Sequence, residues 1–321
     1  MKHNTITRRA FALSSIALTA LGLSSFATVS AAEQPIPKPD GKPADMKKPV
    51  KVFILMGQSN MCGMGHVAGD KPGTLEQAVK VGKKYPYLMD KDGNWTTWND
   101  VRNVYICMKK LCINDWMSVK NQKLIGVEYG IAHYLRQAND APLMMLKCCV
   151  GNRCLGYDLL PPGSEKYEVN GQIQPGYGQV AGGIPKEEAK PTPPKRGKGP
   201  GVVWYAGIQW DDDVGSAKGV LADLDKYYPG ANGYEVAGFF FWQGEKDHGD
   251  PNWMNRYEEN LVRFIKALRK EFNAPNAKFV CATLGESQKG SGDKVMEAKI
   301  DPATSKVLKA EEHKDEKKES K

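Results

Sequence analysis

The sequence predicts a three-layer α/β/α domain built on a short parallel sheet. Three observations point there. Several continuous apolar runs end abruptly in polar, glycine-bearing turns, and amphipathic helical stretches alternate with them. Once a leader is set aside, the 321-residue chain leaves enough length for one sizeable core. Continuous apolar runs suit strands covered by helices on both faces, and the alternation gives a repeating βα pattern.

Residues 50–63 read V-K-V-F-I-L-M-G-Q-S-N-M-C-G, a strand running straight into a Gly-Gln-Ser-Asn turn. A hydroxyl at the carboxyl end of a buried strand sits where backbone N–H groups can point at a bound carbonyl oxygen, so Ser59 is a candidate nucleophile. The plainer alternative is that Ser59 or Asn60 caps the following helix. Residues 125–139 read as a helix and 143–150 as the next buried strand, with a further helix at 217–228.

Residues 236–250, V-A-G-F-F-F-W-Q-G-E-K-D-H-G-D, form a second apolar run ending in a polar cluster. Carboxyl ends of parallel strands lie along one edge, so Ser59 can meet Gln243 and Glu245 across about 185 residues of sequence. Asp247 and His248 read as part of a solvated loop. Residues 253–272 give the clearest helix, with Met254, Tyr257, Leu261, Phe264, Ile265, Leu268 and Phe272 on one stripe, a core face rather than a cofactor box. Residues 278–283 read as another strand.

The turn Gly57-Gln58-Ser59-Asn60-Met61 together with Trp242-Gln243-Gly244-Glu245 resembles the sialate O-acetylesterase type of SGNH hydrolase, carbohydrate esterases with a flavodoxin-like α/β/α fold. The likeness extends over about residues 50–284. It implies removal of O-acetyl groups from a carbohydrate, with no metal or organic cofactor. It also implies roles. Ser59 attacks, the Ser59 and Gly151 N–H groups and the Gln243 side chain hold the oxyanion, and Glu245 orients a base or the nucleophile turn. The Gly151-Asn152-Arg153-Cys154 loop departs from the second glycine and small hydroxyl residue common in relatives.

The larger departure concerns the base. The family places its histidine in an Asp-x-x-His or similar block near the carboxyl terminus, and none of the five histidines here, His3, His66, His133, His248 and His313, follows an aspartate by three residues. Three explanations stay open. The chain is shortened relative to an active ancestor, or it uses a relocated histidine, His248 before His66. The third is a carbohydrate-binding or envelope protein that no longer hydrolyses. His133 is expected on a helix surface and His313 in a solvated tail.

Residues 1–32 carry a basic start, an apolar run and small residues suited to signal peptidase, an export signal that predicts a periplasmic or extracellular protein. Thr7-Arg8-Arg9-Ala10-Phe11-Ala12-Leu13 suggests the twin-arginine route, an ordinary secretory leader being the alternative. No other stretch has the length and apolarity of a membrane span. Residues 33–49 read as a Pro/Lys-rich linker, 50–292 as the esterase-like domain and 293–321 as a charged, solvated tail. Residues 156–201, studded with proline and glycine, read as an irregular insertion. The loop-like stretch 85–116, with Trp95, Trp98, Asn99, Asp100 and Arg102, offers a wall for a sugar cleft or a cover for the core.

The net charge of +8 comes partly from the leader and loop lysines, with no aromatic-interleaved basic stripe, so nucleic acid is not the expected partner. Seven cysteines in an exported chain allow disulfides, Cys107 with Cys112 or Cys154 with one of these, and the odd count leaves a free thiol. Cys148 and Cys149, adjacent on a strand, must face opposite sides. The spacing lacks the Cys-x2-Cys pairs of zinc sites, so no metal is expected, and nothing in it favours redox sensing.

Overall fold

The structure, a computed structural model, describes residues 44–192, 201–285 and 292–300. The leader at 1–32, most of the 33–49 linker, and residues 301–321 with His313 lie outside the described residues, as does His3.

Six strands form the central sheet: β1 (Val50–Gly57), β2 (Trp98–Cys107), β3 (Lys110–Met117), β4 (Leu143–Cys148), β5 (Tyr234–Trp242) and β6 (Lys278–Cys281). Their order is β6-β5-β1-β4-β2-β3, and every neighbouring pair is parallel except β2 with β3. The sheet is therefore mainly parallel with one antiparallel edge. That edge is a hairpin over part of the stretch expected to be loop-like at 85–116. Trp98 is buried beneath Tyr87 and His133, and Trp116 packs edge-on against Tyr228, so both tryptophans serve the core rather than a sugar cleft.

Among the described residues eight α-helices accompany the sheet: α1 (Ser59–Cys62), α2 (Glu128–Ala138), α3 (Ile208–Ala222), α4 (Leu224–Tyr227), α5 (Glu245–His248), α6 (Pro251–Asn255), α7 (Tyr257–Glu271) and α8 (Lys294–Ile300). Strand alternation divides the core into two layers. Val50, Val52, Ile54 and Met56 of β1 face a cluster with Trp210 and Val214 of α3 and Leu261, Phe264 and Leu268 of α7. Phe53 and Leu55 face the opposite cluster with Met61 of α1 and Tyr129 and Ala132 of α2. Period-two alternation on strands thus supplies both α/β interfaces at once. Cys148 and Cys149 fall in opposite clusters for the same reason.

Two expectations are corrected. The long helix at 253–272 is broken at Arg256 into α6 and α7, and Asp250 starts α6 by accepting the Asn252 N–H. The tail from Asp293 is not solvated throughout. Asp293 accepts the Val295 N–H at the head of α8, and Val295, Met296 and Ala298 are buried against the core. Three apolar residues within four positions make one buried helix face despite the surrounding lysine and glutamate. Cys107, Cys112 and Cys154 are all thiols, so neither expected disulfide forms. No helix among the described residues is long and apolar enough to cross a membrane.

Among the described residues one ion pair lies wholly inside. Lys147 on β4 donates to Glu128 on α2 at 2.9 Å, with side chains 2% and 1% exposed, and donates also to the Cys62 carbonyl at 2.9 Å. It thereby ties the end of α1 to the sheet and to α2. Removing one partner leaves a buried charge uncompensated. Lys147→Met is expected to cost about 3–5 kcal/mol, read from the urea midpoint. Lys147→Met with Glu128→Leu should recover most of it, because no charge then remains buried.

Candidate active site

Three strand ends build the site. β1 pairs with β5 to the last residue, Gly57 opposite Trp242, and the Gln58 N–H continues the ladder to the Trp242 carbonyl at 3.0 Å. Gly57 has φ +146, and a Cβ there would stand 2.1 Å from the Trp242 oxygen. Only glycine permits that approach. The chain then turns into α1, whose first residue is Ser59. No side chain caps this four-residue helix, and the Asn60 amide is turned elsewhere. The capping alternative for Ser59 and Asn60 therefore falls.

The Glu245 carboxylate at the head of α5 accepts from Gln58 Nε2 at 2.5 Å and from Asn60 Nδ2 at 2.6 Å. These are the residues on either side of Ser59, so a single carboxylate holds the turn by two charge-assisted bonds. From β4 the chain runs through Cys149 to Gly151, where an added Cβ would lie 3.9 Å from the Ser59 Cβ. Asn152 follows at φ +58, a left-handed conformation that asparagine tolerates. Ser59, Gly151, Asn152, Glu245 and Lys246 line one open cavity of about 650 Å³, together with Cys62 and Tyr105. That size suits a small-molecule ligand. A groove of about 480 Å³ at the other end of β5, lined by residues 234–237 and 272–277, contains no serine, cysteine or histidine.

Gln243 does not face this cavity. It is fully buried, its amide nitrogen donates to the Arg153 carbonyl and to Asp247, and its amide oxygen accepts from the Tyr257 hydroxyl. Those internal bonds use its donors, so the expected oxyanion role is corrected to that of a brace between β5 and the 151–156 loop. Asp247 is corrected too. It is buried rather than solvated, and it accepts the Leu155 and Gly156 N–H groups at 2.8 and 2.7 Å.

The histidines are also placed elsewhere. His248, the preferred relocated base, ends α5 with its Nε2 3.6 Å from Asp293, and it does not line the Ser59 cavity. His66 is exposed on a two-residue strand paired with 124–125. His133 is stacked flat on Tyr87 at 3.7 Å and bonded to Gln137, not on an open helix surface. Among the described residues no imidazole lines the cavity, and no group of three or more His, Cys, Asp or Glu residues is placed to hold a metal.

Two features escaped the sequence reading. Asn152 lines the cavity, signalled only by a Gly-Asn pair at a strand end. Asp158, completely buried, accepts from Trp204 Nε1, the Cys154 N–H and Lys246 Nζ at 2.8–2.9 Å. It fastens the 156–206 segment to the cavity rim. The described residues of that segment are otherwise arranged in turns and short ladders such as Tyr167–Val169 with Gln172–Gln174.

A family model described as carbohydrate esterase, sialic acid-specific acetylesterase, matches residues 218–320. The match takes in Gln243 and Glu245 and leaves out the Ser59 turn. Among solved structures, the chain is similar to a protein from Arabidopsis thaliana at 18% identity and TM-score 0.42, over 78% of this chain and 80% of that one. It is similar to a carbohydrate acetylesterase from Xanthomonas citri at 16% identity and TM-score 0.40, over 75% of this chain and 43% of that one. For NanS the identity is 13% and the TM-score 0.41, over 74% and 69%. No curated protein matches the chain in sequence.

Burial raises the Asp247 carboxyl from its ordinary 3.8 to about 6, against the lowering pull of its three hydrogen bonds. The folded state then holds the proton more tightly than the unfolded one. The contribution to stability is full below pH ~4 and is lost as pH rises through about 6. Asp247→Asn should flatten this part of the profile, visible as a shrinking pH dependence of the urea midpoint. It should also lower stability by about 1–3 kcal/mol, because an amide cannot accept all three donors.

Proposed function

We propose that this chain is a serine ester hydrolase of the SGNH kind that removes O-acetyl groups from a carbohydrate. The observation that carries the reading is the position of Ser59, at the head of α1 and beside Gly151 on the wall of an open cavity at the carboxyl edge of a parallel sheet. The family match over 218–320 supports the carbohydrate ester as substrate class. In this reading the Ser59 hydroxyl attacks the acetyl carbonyl. The N–H groups of Ser59 and Gly151 and the amide of Asn152 receive the oxyanion. Glu245 acts as a positioning residue, holding the turn through Gln58 and Asn60.

The proton of the Ser59 hydroxyl needs an acceptor, and the histidines among the described residues stand away from the cavity. That same observation favours a second reading, a carbohydrate-binding protein that retains the cleft without turnover.

Hydrolysis of a chromogenic acetate ester by the folded chain decides between them. Turnover should vanish in Ser59→Ala and fall about 10²–10³-fold in kcat in Asn152→Gly, which keeps the left-handed backbone and removes one donor. Equal inertness of wild type and Ser59→Ala, both folded, would favour the binding protein.

A further inference from the structure

At the rim of the Ser59 cavity the 156–206 segment presents a tryptophan that the ester chemistry does not use. Trp204 is 38% exposed, yet it is held at three points. Its indole Nε1–H donates to Asp158 at 2.8 Å, its carbonyl accepts from the Tyr157 hydroxyl at 2.8 Å, and the Arg153 guanidinium lies 4.5 Å from its ring centroid. Asp158 is completely buried, and its other carboxylate oxygen accepts Lys246 Nζ at 2.9 Å. Lys246 lines the cavity and Trp204 does not, so the indole stands just outside the cavity wall, one carboxylate's width from it. Arg153 follows Asn152 of that wall, and its guanidinium bonds two neutral oxygens, Gln209 Oε1 at 3.2 Å and the Asn152 carbonyl at 3.0 Å. With five N–H groups, a guanidinium carries donors beyond those two.

We propose that Trp204 and Arg153 form a sugar-binding subsite beside the Ser59 cavity, so that the ligand is a glycan chain of two or more residues rather than a free monosaccharide. This rests on the carbohydrate reading above, in either its hydrolytic or its binding form. A pyranose ring offers an apolar C–H face bordered by hydroxyls. The face packs on an indole, and the hydroxyls take donors placed at its edge, as a guanidinium supplies. An acetylated residue at Ser59 occupies the cavity, and the Trp204 ring lies beyond the wall. The next residue of the same chain is the group that reaches it. The indole N–H is satisfied inside by Asp158 while the ring stays partly in solvent, which fixes the ring's orientation before any ligand arrives. A ring already fixed loses little freedom on binding, so more of the contact appears as affinity. The same buried carboxylate holds Lys246, which sets the spacing between the cavity wall and the ring.

The test is an array of immobilised O-acetylated disaccharides to hexasaccharides beside their matching monosaccharides, probed with the folded full chain carrying Ser59→Ala so that turnover cannot strip the acetyl groups. At least one oligosaccharide should be held about tenfold more tightly than its own monosaccharide, and adding Trp204→Ala should abolish that margin. Trp204→Phe, which keeps an aromatic face and drops the bond to Asp158, should retain most of it. The proposal is overturned if no oligosaccharide exceeds its monosaccharide, if the margin survives in Trp204→Ala, or if phenylalanine is as weak as alanine. As a check on the unmutated Trp204, the tightest oligosaccharide should slow hydroxyl-radical oxidation of Trp204 about fivefold, read by peptide mass, and its monosaccharide should not. Equal oxidation with and without the oligosaccharide would also overturn it. Chromogenic acetate hydrolysis with Ser59 intact is a separate readout. An inert enzyme with the margin intact loses the esterase reading alone, and an active enzyme without the margin loses the subsite alone.

Discussion

The parallel pairing of β1 with β5, which shifts register once between Val52 and Phe53 and then runs unbroken to Gly57 opposite Trp242, is the constraint on which the site depends. Two backbones meet there so closely that no side chain at Gly57 is tolerated. A slip of one residue would send every apolar side chain of β1 to the wrong layer, so the hydrophobic core itself holds the register. Because the two strands end level, the turns that follow them face each other. Glu245 then reaches Gln58 and Asn60 without a long side chain having to be ordered from solvent.

Buried polar groups extend that arrangement outward, each held by at least one partner because a wholly unpartnered one is costly. Asp247 and Gln243 brace the loop after β4 against the end of β5, which keeps Gly151 opposite Ser59. Asp158 fastens the long 156–206 segment to Lys246 on the rim. Lys147 and Glu128 secure α1 from beneath. The residues that look catalytic by their place in the motif therefore divide into two groups. Ser59, Gly151 and Glu245 meet at the cavity, while Gln243 and Asp247 maintain the scaffold behind it.

Much of the fold was legible because continuous apolar runs and one amphipathic stripe are direct consequences of burial on both faces of a sheet. The β2–β3 hairpin was not, because its strands carry Asn103, Arg102 and Asp115 among the apolar residues, and its turn at Met108 and Lys109 takes positive φ without a glycine to announce it. The buried face of α8 was hidden by the lysines and glutamates around three apolar residues. Of the site, the positions of Ser59 and Glu245 followed from strand ends. The orientation of Gln243 did not, since an amide at a strand end can point to either side.

The sequence by itself determined the layered α/β architecture and the sheet edge at which its polar turns gather, because periodicity and strand polarity are local properties that burial reads directly. Only the tertiary structure decided which of those turn residues face the cavity, that His248 turns to Asp293, and that Lys147 bonds the carbonyl of Cys62, 85 positions away in sequence. Those outcomes depend on side-chain directions and through-space charge, which arise from packing between distant segments and leave no periodic trace along the chain.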